Sequence, residues 1–170
     1  MRRFIGMLGM LLWIVQADAT TLIEAHIPNA QIVASGRLSV FLFDVYDASL
    51  YTENGKRQAR PPFALKLSYL RDIDGEKIAD QSAEEIRNQG RVDEITLADW
   101  HSQMRNIFPD VKKGDSITGI YKTVDECSFY KGSHFIGQIS DAQFCEVFFD
   151  IWFGEKTSAP ALRNKLIGQK

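Results

Sequence analysis

Residues 36–51 read GRLSVFLFDVYDASLY, the longest stretch rich in β-branched and aromatic residues in the 170-residue chain. Strict alternation places Leu38, Val40 and Leu42 on one face and Phe41, Phe43 and Val45 on the other. The pattern predicts a single β-strand from Gly36 to Tyr51. A strand apolar on both faces is normally covered on both, so it is expected at the centre of a sheet. Alternation also puts Arg37 on the face of Phe41, Phe43 and Val45, with Asp44 and Tyr46 opposite unless a bulge intervenes. An arginine aimed into an apolar cleft would need an anion, and a ligand carboxylate could meet it bidentately. Pairing with an internal carboxylate or snorkelling to water satisfies it equally well.

Outward from this stretch, Thr21 to Ile27 and Gln31 to Val33 read as strands. Thr52 to Pro62 (TENGKRQARPP) is a loop with an Asn54-Gly55 turn signal; its Lys56, Arg57 and Arg60 suit a solvated tip. Phe63 to Leu70 alternates again as a strand. Asp74 is placed to cap a helix that runs to Gln89 and stops at Gly90. Thr96 is placed to cap a second helix, with Leu97, Trp100, Met104 and Ile107–Phe108 as its inner stripe before Pro109. Gly114 to Thr123, Cys127 to Lys131 and His134 to Ile139 form a predicted meander. Asp141 opens an apolar helix through Trp152, and Ser158 with Pro160 opens a last helix ending at Gly168. Strands and helices in separate blocks make an α+β layout, with a mostly antiparallel sheet. Helices laid over one face of a curved sheet would leave a cleft suited to an apolar ligand.

The first 19 residues have a different character. Arg2 and Arg3 precede an apolar run from Phe4 to Val15, and Ala17-Asp18-Ala19 is an A-x-A site. This is the pattern of a secretory signal peptide, cleaved between Ala19 and Thr20. The run is shorter than the roughly 20 residues a membrane anchor needs. Residues 20–170 are then expected as one exported domain in a periplasm, with no membrane span after cleavage. A formal net charge of −2, with 25% of residues charged, excludes a polybasic nucleic-acid binder. Export would permit a disulfide between Cys127 and Cys145, worth about 3 kcal/mol for so short a loop. Two buried thiols are the alternative.

Signatures of common chemistries are missing: no G-x-S-x-G, H-E-x-x-H, P-loop or G-x-G-x-x-G occurs. His26, His101 and His134 are isolated in sequence, and their spacing does not ask for a metal. No catalytic residue, metal ligand or cofactor is therefore assigned.

Several segments resemble the bacterial chalcone-isomerase-like proteins. They are Ser35-Gly36-Arg37 through Asp44-Val45-Tyr46-Asp47-Ala48-Ser49-Leu50-Tyr51, then Phe63 to Arg71 followed by Gly75-Glu76-Lys77-Ile78-Ala79. Gly114-Asp115, Phe148-Phe149-Asp150-Ile151-Trp152-Phe153 and Thr157-Ser158-Ala159-Pro160 complete the set. The resemblance covers about residues 30 to 168. It implies an open-faced β-sandwich, a large antiparallel sheet backed by helices on one face. Plant enzymes of the family close a flavanone ring without a cofactor, using an arginine, a threonine, a tyrosine, an asparagine and a late polar residue. Aligned on Val45-Tyr46, the threonine position falls on Phe41 and the arginine position near Asn29. Aligned on Gly75, the tyrosine falls on Ile78 and the asparagine near Glu85, and the late polar position falls near Ile151. Hydrophobic residues where donors are required argue against that cyclisation.

The resemblance thus implies an exported, non-catalytic member holding an apolar or fatty-acid-like small molecule between sheet and helices. Arg37, Phe41, Ile78 and Ile151 are the candidate ligand-binding residues. Three alternatives remain: an isomerase or lyase using non-standard groups such as Arg37 with Glu85, a haem protein ligated by a histidine, and a ligand-free envelope interaction module.

Overall fold

A computed structural model of the chain describes residues 19–56 and 60–168. The expected leader, Arg2 and Arg3 included, lies outside the described residues, as does Arg57 of the basic loop. The chain runs α1 (Ala19–His26), β1 (Ala30–Val40), β2 (Phe43–Glu53) and β3 (Phe63–Tyr69). Two helices follow, α2 (Gly75–Gln89) and α3 (Glu94–Ile107). Then come β4 (Ser116–Thr123), β5 (Glu126–Lys131), β6 (His134–Ile139), α4 (Ala142–Phe153) and α5 (Pro160–Ile167). The six strands form one sheet in sequence order, each antiparallel to the next. This is the α+β architecture with an open antiparallel sheet that the sequence predicts.

Residues 36–51 are not one strand. The chain reverses at Phe41-Leu42, and Val40 pairs with Phe43, so the stretch supplies both arms of a hairpin. Its first arm, β1, is an edge strand rather than a central one. Phe41 takes a positive φ of 55° there, a conformation costly for a bulky side chain. No Asn-Gly or Gly pair marks the reversal, which is why periodicity reads straight through it. The second arm is held by β3, whose Tyr69, Leu67 and Leu65 face Tyr46, Ala48 and Leu50.

Two other expectations change. Thr21 to His26 falls in a helix, and the Ile27 amide just after it donates to the Ile23 carbonyl at 2.8 Å, so that Ile23 and Ile27 are both fully buried on one side. Helix α3 starts before Thr96: Asp93 is its cap, accepting from the amides of Ile95 and Thr96 at 3.0 Å each. At α2, Asp74 holds the cap position, but its carboxylate pairs with Lys77 at 2.7 Å. The amide of Gly75 donates instead to Asp110 Oδ1 at 2.8 Å. Gly75 has no room for a side chain, since a Cβ would lie 2.1 Å from the Phe108 carbonyl oxygen.

Alternation along the strands builds two cores. One face carries Ala48, Leu50, Phe63, Leu65, Leu67 and Phe129 against α2 to α5. The other carries Tyr51, Ala64, Ile120 and Tyr130 against Ile23 of α1 and Ile27 just after it. Helices therefore back one face fully, while α1 covers part of the second. Cys127 on β5 and Cys145 on α4, both fully buried, are joined as a disulfide with Cα atoms 5.7 Å apart. No described helix is long and apolar enough to cross a membrane.

Candidate functional site: a cavity between sheet and helices

A cavity of about 810 Å³ separates the helix-backed face of the sheet from α2, α4 and the start of α5. Its floor is aliphatic and aromatic: Leu65 and Leu67 from β3, Ile117 from β4 and Phe129 from β5. Gly119 on β4 keeps this floor low, because a Cβ there would lie 3.1 Å from the Phe149 ring. The roof is Ile78 of α2 with Phe148, Phe149 and Ile151 of α4. That size and lining fall in the range of sites for small apolar molecules.

Polar groups from the strands and from the helices also enter the wall. Trp152 Nε1 donates to the Tyr46 hydroxyl at 2.9 Å, which leaves the Tyr46 proton available for another acceptor. The Tyr69 ring meets Tyr46 edge to face at 6.0 Å. Burial pushes both phenols well above the usual tyrosine range; at Tyr46 the Trp152 bond opposes this and the nearby Glu85 charge adds to it. Both stay protonated at physiological pH, so they are neutral hydrogen-bond donors rather than bases. Glu85 Oε1 accepts from Ser158 Oγ at 2.7 Å and from Gln81 Nε2 at 3.1 Å. The other lining charges are neutralised by ion pairs, Lys77 by Asp74 and Arg37 by two carboxylates. Glu85 is thus the one lining charge, among the described residues, whose hydrogen-bond partners are neutral.

Of the sequence candidates, Ile78 and Ile151 line the cavity, as does Glu85. Arg37 is at its edge, but its guanidinium is occupied. Nε and Nη2 donate to the two Asp47 oxygens at 2.7 and 3.0 Å, and Nη1 donates to Asp44 at 2.7 Å. Asp44 also accepts from Ser39 Oγ at 2.6 Å. The internal carboxylate was one of the two partners the sequence allowed, and it is the one present. A register shift explains how Asp44 reaches Arg37: Leu38 faces Tyr46 while Ser39 faces Asp44, leaving Val45 as the extra residue of a bulge. The same bulge lets neighbouring Val45 and Tyr46 both line the cavity with Arg37. The bulge is the exception under which the sequence allows Tyr46 to share a pocket with Arg37.

Phe41 is corrected more sharply. It is 95% exposed at the hairpin tip and is absent from the cavity wall. Its placement beside Arg37 assumed one continuous strand. Asn29, at the aligned arginine position, is in the turn between α1 and β1 with φ of 54°. The helix-side alignment thus reaches the cavity, and the strand-side alignment does not. Sequence reasoning sets Tyr46 on the opposite face and passes over Tyr69 and Trp152; the signal available is a polar aromatic on each of two neighbouring strands and a helix tryptophan.

The histidines are elsewhere. His26 bonds the Leu22 carbonyl and the Tyr130 hydroxyl at 2.9 Å each, and His101 bonds Asp80 at 2.7 Å. His134 is on β6, away from the cavity wall. Among the described residues no group of three or more His, Cys, Asp or Glu is placed to hold a metal ion.

Among solved structures the chain is similar to the crystal structure of a fatty-acid binding protein from Arabidopsis thaliana. The TM-score is 0.63 at 12% sequence identity, over 82% of this chain and 87% of that one. At that identity the likeness is one of fold. No curated protein matches the sequence. The model of chalcone isomerase-like proteins matches residues 29–168, which take in the whole sheet, α2 to α5 and every wall of the cavity. By this match over most of its length, the chain belongs to the chalcone isomerase-like family.

Proposed function

We propose that this protein binds an apolar or amphipathic small molecule in the cavity, without family ring-closing chemistry, and does so in a periplasm after export. The observation that carries the reading is the cavity itself: a large space whose lining is mainly aliphatic and aromatic, with the hydrogen-bonded Tyr46 and Trp152 and the adjoining Tyr69 in its wall. Ile78 and Ile151 would press on the ligand's hydrocarbon part. Tyr46 and Tyr69 would donate to a single polar head. The fold neighbour being a fatty-acid binding protein is consistent with a fatty-acid-like ligand. The leader pattern and the disulfide support export, since disulfides persist in oxidising compartments. Arg37 would act structurally, bracing the hairpin that forms one wall. Its occupied guanidinium weighs against an isomerase built on Arg37 with Glu85.

Glu85 refines the head group. A carboxylate held by Tyr46 and Tyr69 would feel the Glu85 charge, so an alcohol, an ester or a protonated acid suits the site better. The test is a chain-length series of fatty acids and fatty alcohols titrated into delipidated protein. Saturable binding is expected, tightening about fourfold per added methylene (about 0.8 kcal/mol each) until the cavity is filled. Glu85→Gln is expected to strengthen binding of the acids and leave the alcohols nearly unchanged. Absence of saturable binding across both series, with no adduct in native mass spectra of the purified protein, would refute the reading.

A further inference from the structure

The β1–β2 hairpin ends in four consecutive apolar residues, and the described chain leaves the two at its turn, Phe41 and Leu42, almost wholly exposed. Val40 is 48% exposed, Phe41 95%, Leu42 95% and Phe43 64%. A soluble hairpin normally turns on Asn, Asp or Gly, and the positive φ of Phe41 is one that Asn would adopt more readily. Here the turn keeps an aromatic at a conformational cost and exposes it. Such a patch marks an interaction site or an aggregation liability.

Three features indicate what it meets. First, the tip is continuous with the cavity: Val40 belongs to both, and Leu38, Ser39 and Val45 behind it line the cavity edge. Second, its flanking charge is basic on balance. Arg37 offsets one of the two charges of Asp44 and Asp47, and Asp72 is paired with Lys112 at 3.1 Å, so the unpaired cations Arg71 and Lys113 outweigh the single carboxylate charge left over. The Arg71 guanidinium stands 5.6 Å over the Phe43 ring, and Lys113 is tied to the same turn by its amide on Asp72. Neither Arg71 nor Lys113 has a carboxylate partner among the described residues. Third, the shape is a narrow projection. One paired residue and one turn residue per arm, at about 3.4 Å rise each, give a depth of about 7 Å, comparable to the roughly 5–10 Å to which interfacial elements enter a bilayer. A protein interface needs about 800 Å² per partner, a broad face rather than a four-residue tip.

We propose that the Val40–Phe43 tip inserts into the surface of an anionic lipid bilayer, setting the cavity edge at the membrane so that an apolar ligand passes between bilayer and cavity without crossing water. The transfer role rests on the cavity reading above; the docking itself does not.

The test is sedimentation of the full-length protein with phosphatidylcholine vesicles, with and without phosphatidylglycerol, beside Phe41→Asn/Leu42→Ser. Wild type is expected to bind, more tightly with the anionic lipid, and the double variant to lose affinity by roughly tenfold or more. Because both side chains are exposed, the variant should keep its fold, checked by its thermal midpoint. Leu42→Trp gives an independent readout: its fluorescence should shift to the blue on vesicles and be quenched by brominated lipid. Wild type left in the supernatant of both vesicle types would overturn the proposal. So would undiminished binding by the double variant, or a wild-type dimer that the variant breaks without any vesicle binding. Titrating both proteins with soluble fatty alcohols separates the two readings. Vesicle binding without ligand binding sinks the cavity function and leaves the docking; ligand binding without vesicle binding does the reverse.

Discussion

Reduction of the Cys127–Cys145 disulfide should destabilise the protein by about 3 kcal/mol, an amount set by topology rather than by local contacts. The bond joins β5 to α4 across 18 residues that include all of β6. Closing a loop of that length removes unfolded-chain entropy equivalent to about 3 kcal/mol at 25 °C. For a chain of this size each kcal/mol moves the thermal midpoint by roughly 2–4 °C, so a drop of roughly 6–12 °C is expected. Both cysteines are fully buried, so reductant acts slowly on the folded protein. The reduced form should therefore be made by unfolding in urea with a phosphine, then refolding. Urea titrations of the two forms, followed by tryptophan fluorescence and far-ultraviolet circular dichroism, give the difference directly. The m value should also rise slightly on reduction, because the unlinked unfolded chain is more expanded. Coincident midpoints would refute the argument, as would two free thiols in denatured, unreduced protein purified from an oxidising compartment.

Two further outcomes are expected. Tyr46→Phe removes the acceptor for Trp152 Nε1, which should cost about 1–3 kcal/mol in urea titrations and also weaken binding of ligands with polar heads. Acid should destabilise the fold through Asp72, Asp93 and Asp115, whose carboxyls are held below the usual range. The leading causes are the Lys113 amide at Asp72, the Thr96 amide at Asp93 and the Lys112 amide at Asp115. Below an unfolded value near 3.9 the unfolded chain binds more protons than the native one. Their contribution is thus complete above about pH 4 and drains as pH falls through the lower native values. Asp93→Asn, which keeps an acceptor but no titrating group, should flatten the acid limb of a urea-midpoint profile; an unchanged limb would contradict the assignment.

Much of the fold was readable because its elements depend on local periodicity. Phe63 to Tyr69 alternates wherever it is placed, and Gly90 and Gly168 end helices because both take the left-handed conformation. The misreadings share one cause. Thr21 to His26 has β-branched residues but falls in α1, since Ile23 and the following Ile27 can be buried together on the second face of the sheet. Residues 36–51 alternate without a turn residue, yet they fold back because β3 supplies a better partner for Tyr46 to Thr52 than solvent does. Non-local pairing overrode local pattern in both places.

Sequence by itself determined the class, the order of elements from Phe63 onward, the excess of apolar side chains at the aligned helix positions and the spacing of two cysteines. Those depend on residue type and on separations of a few positions along the chain. Tertiary structure alone decided that Arg37 serves two aspartates, that Phe41 and Leu42 face outward, and that Tyr46, Tyr69, Trp152 and Glu85 meet around one cavity. The places of Arg37, Tyr46, Phe41 and Leu42 turn on a single extra residue at Val45 and a reversal at Phe41-Leu42, and those of Tyr69, Glu85 and Trp152 on the packing of helices over the sheet. In a sheet whose side chains alternate with period two, one residue of slip exchanges inside for outside.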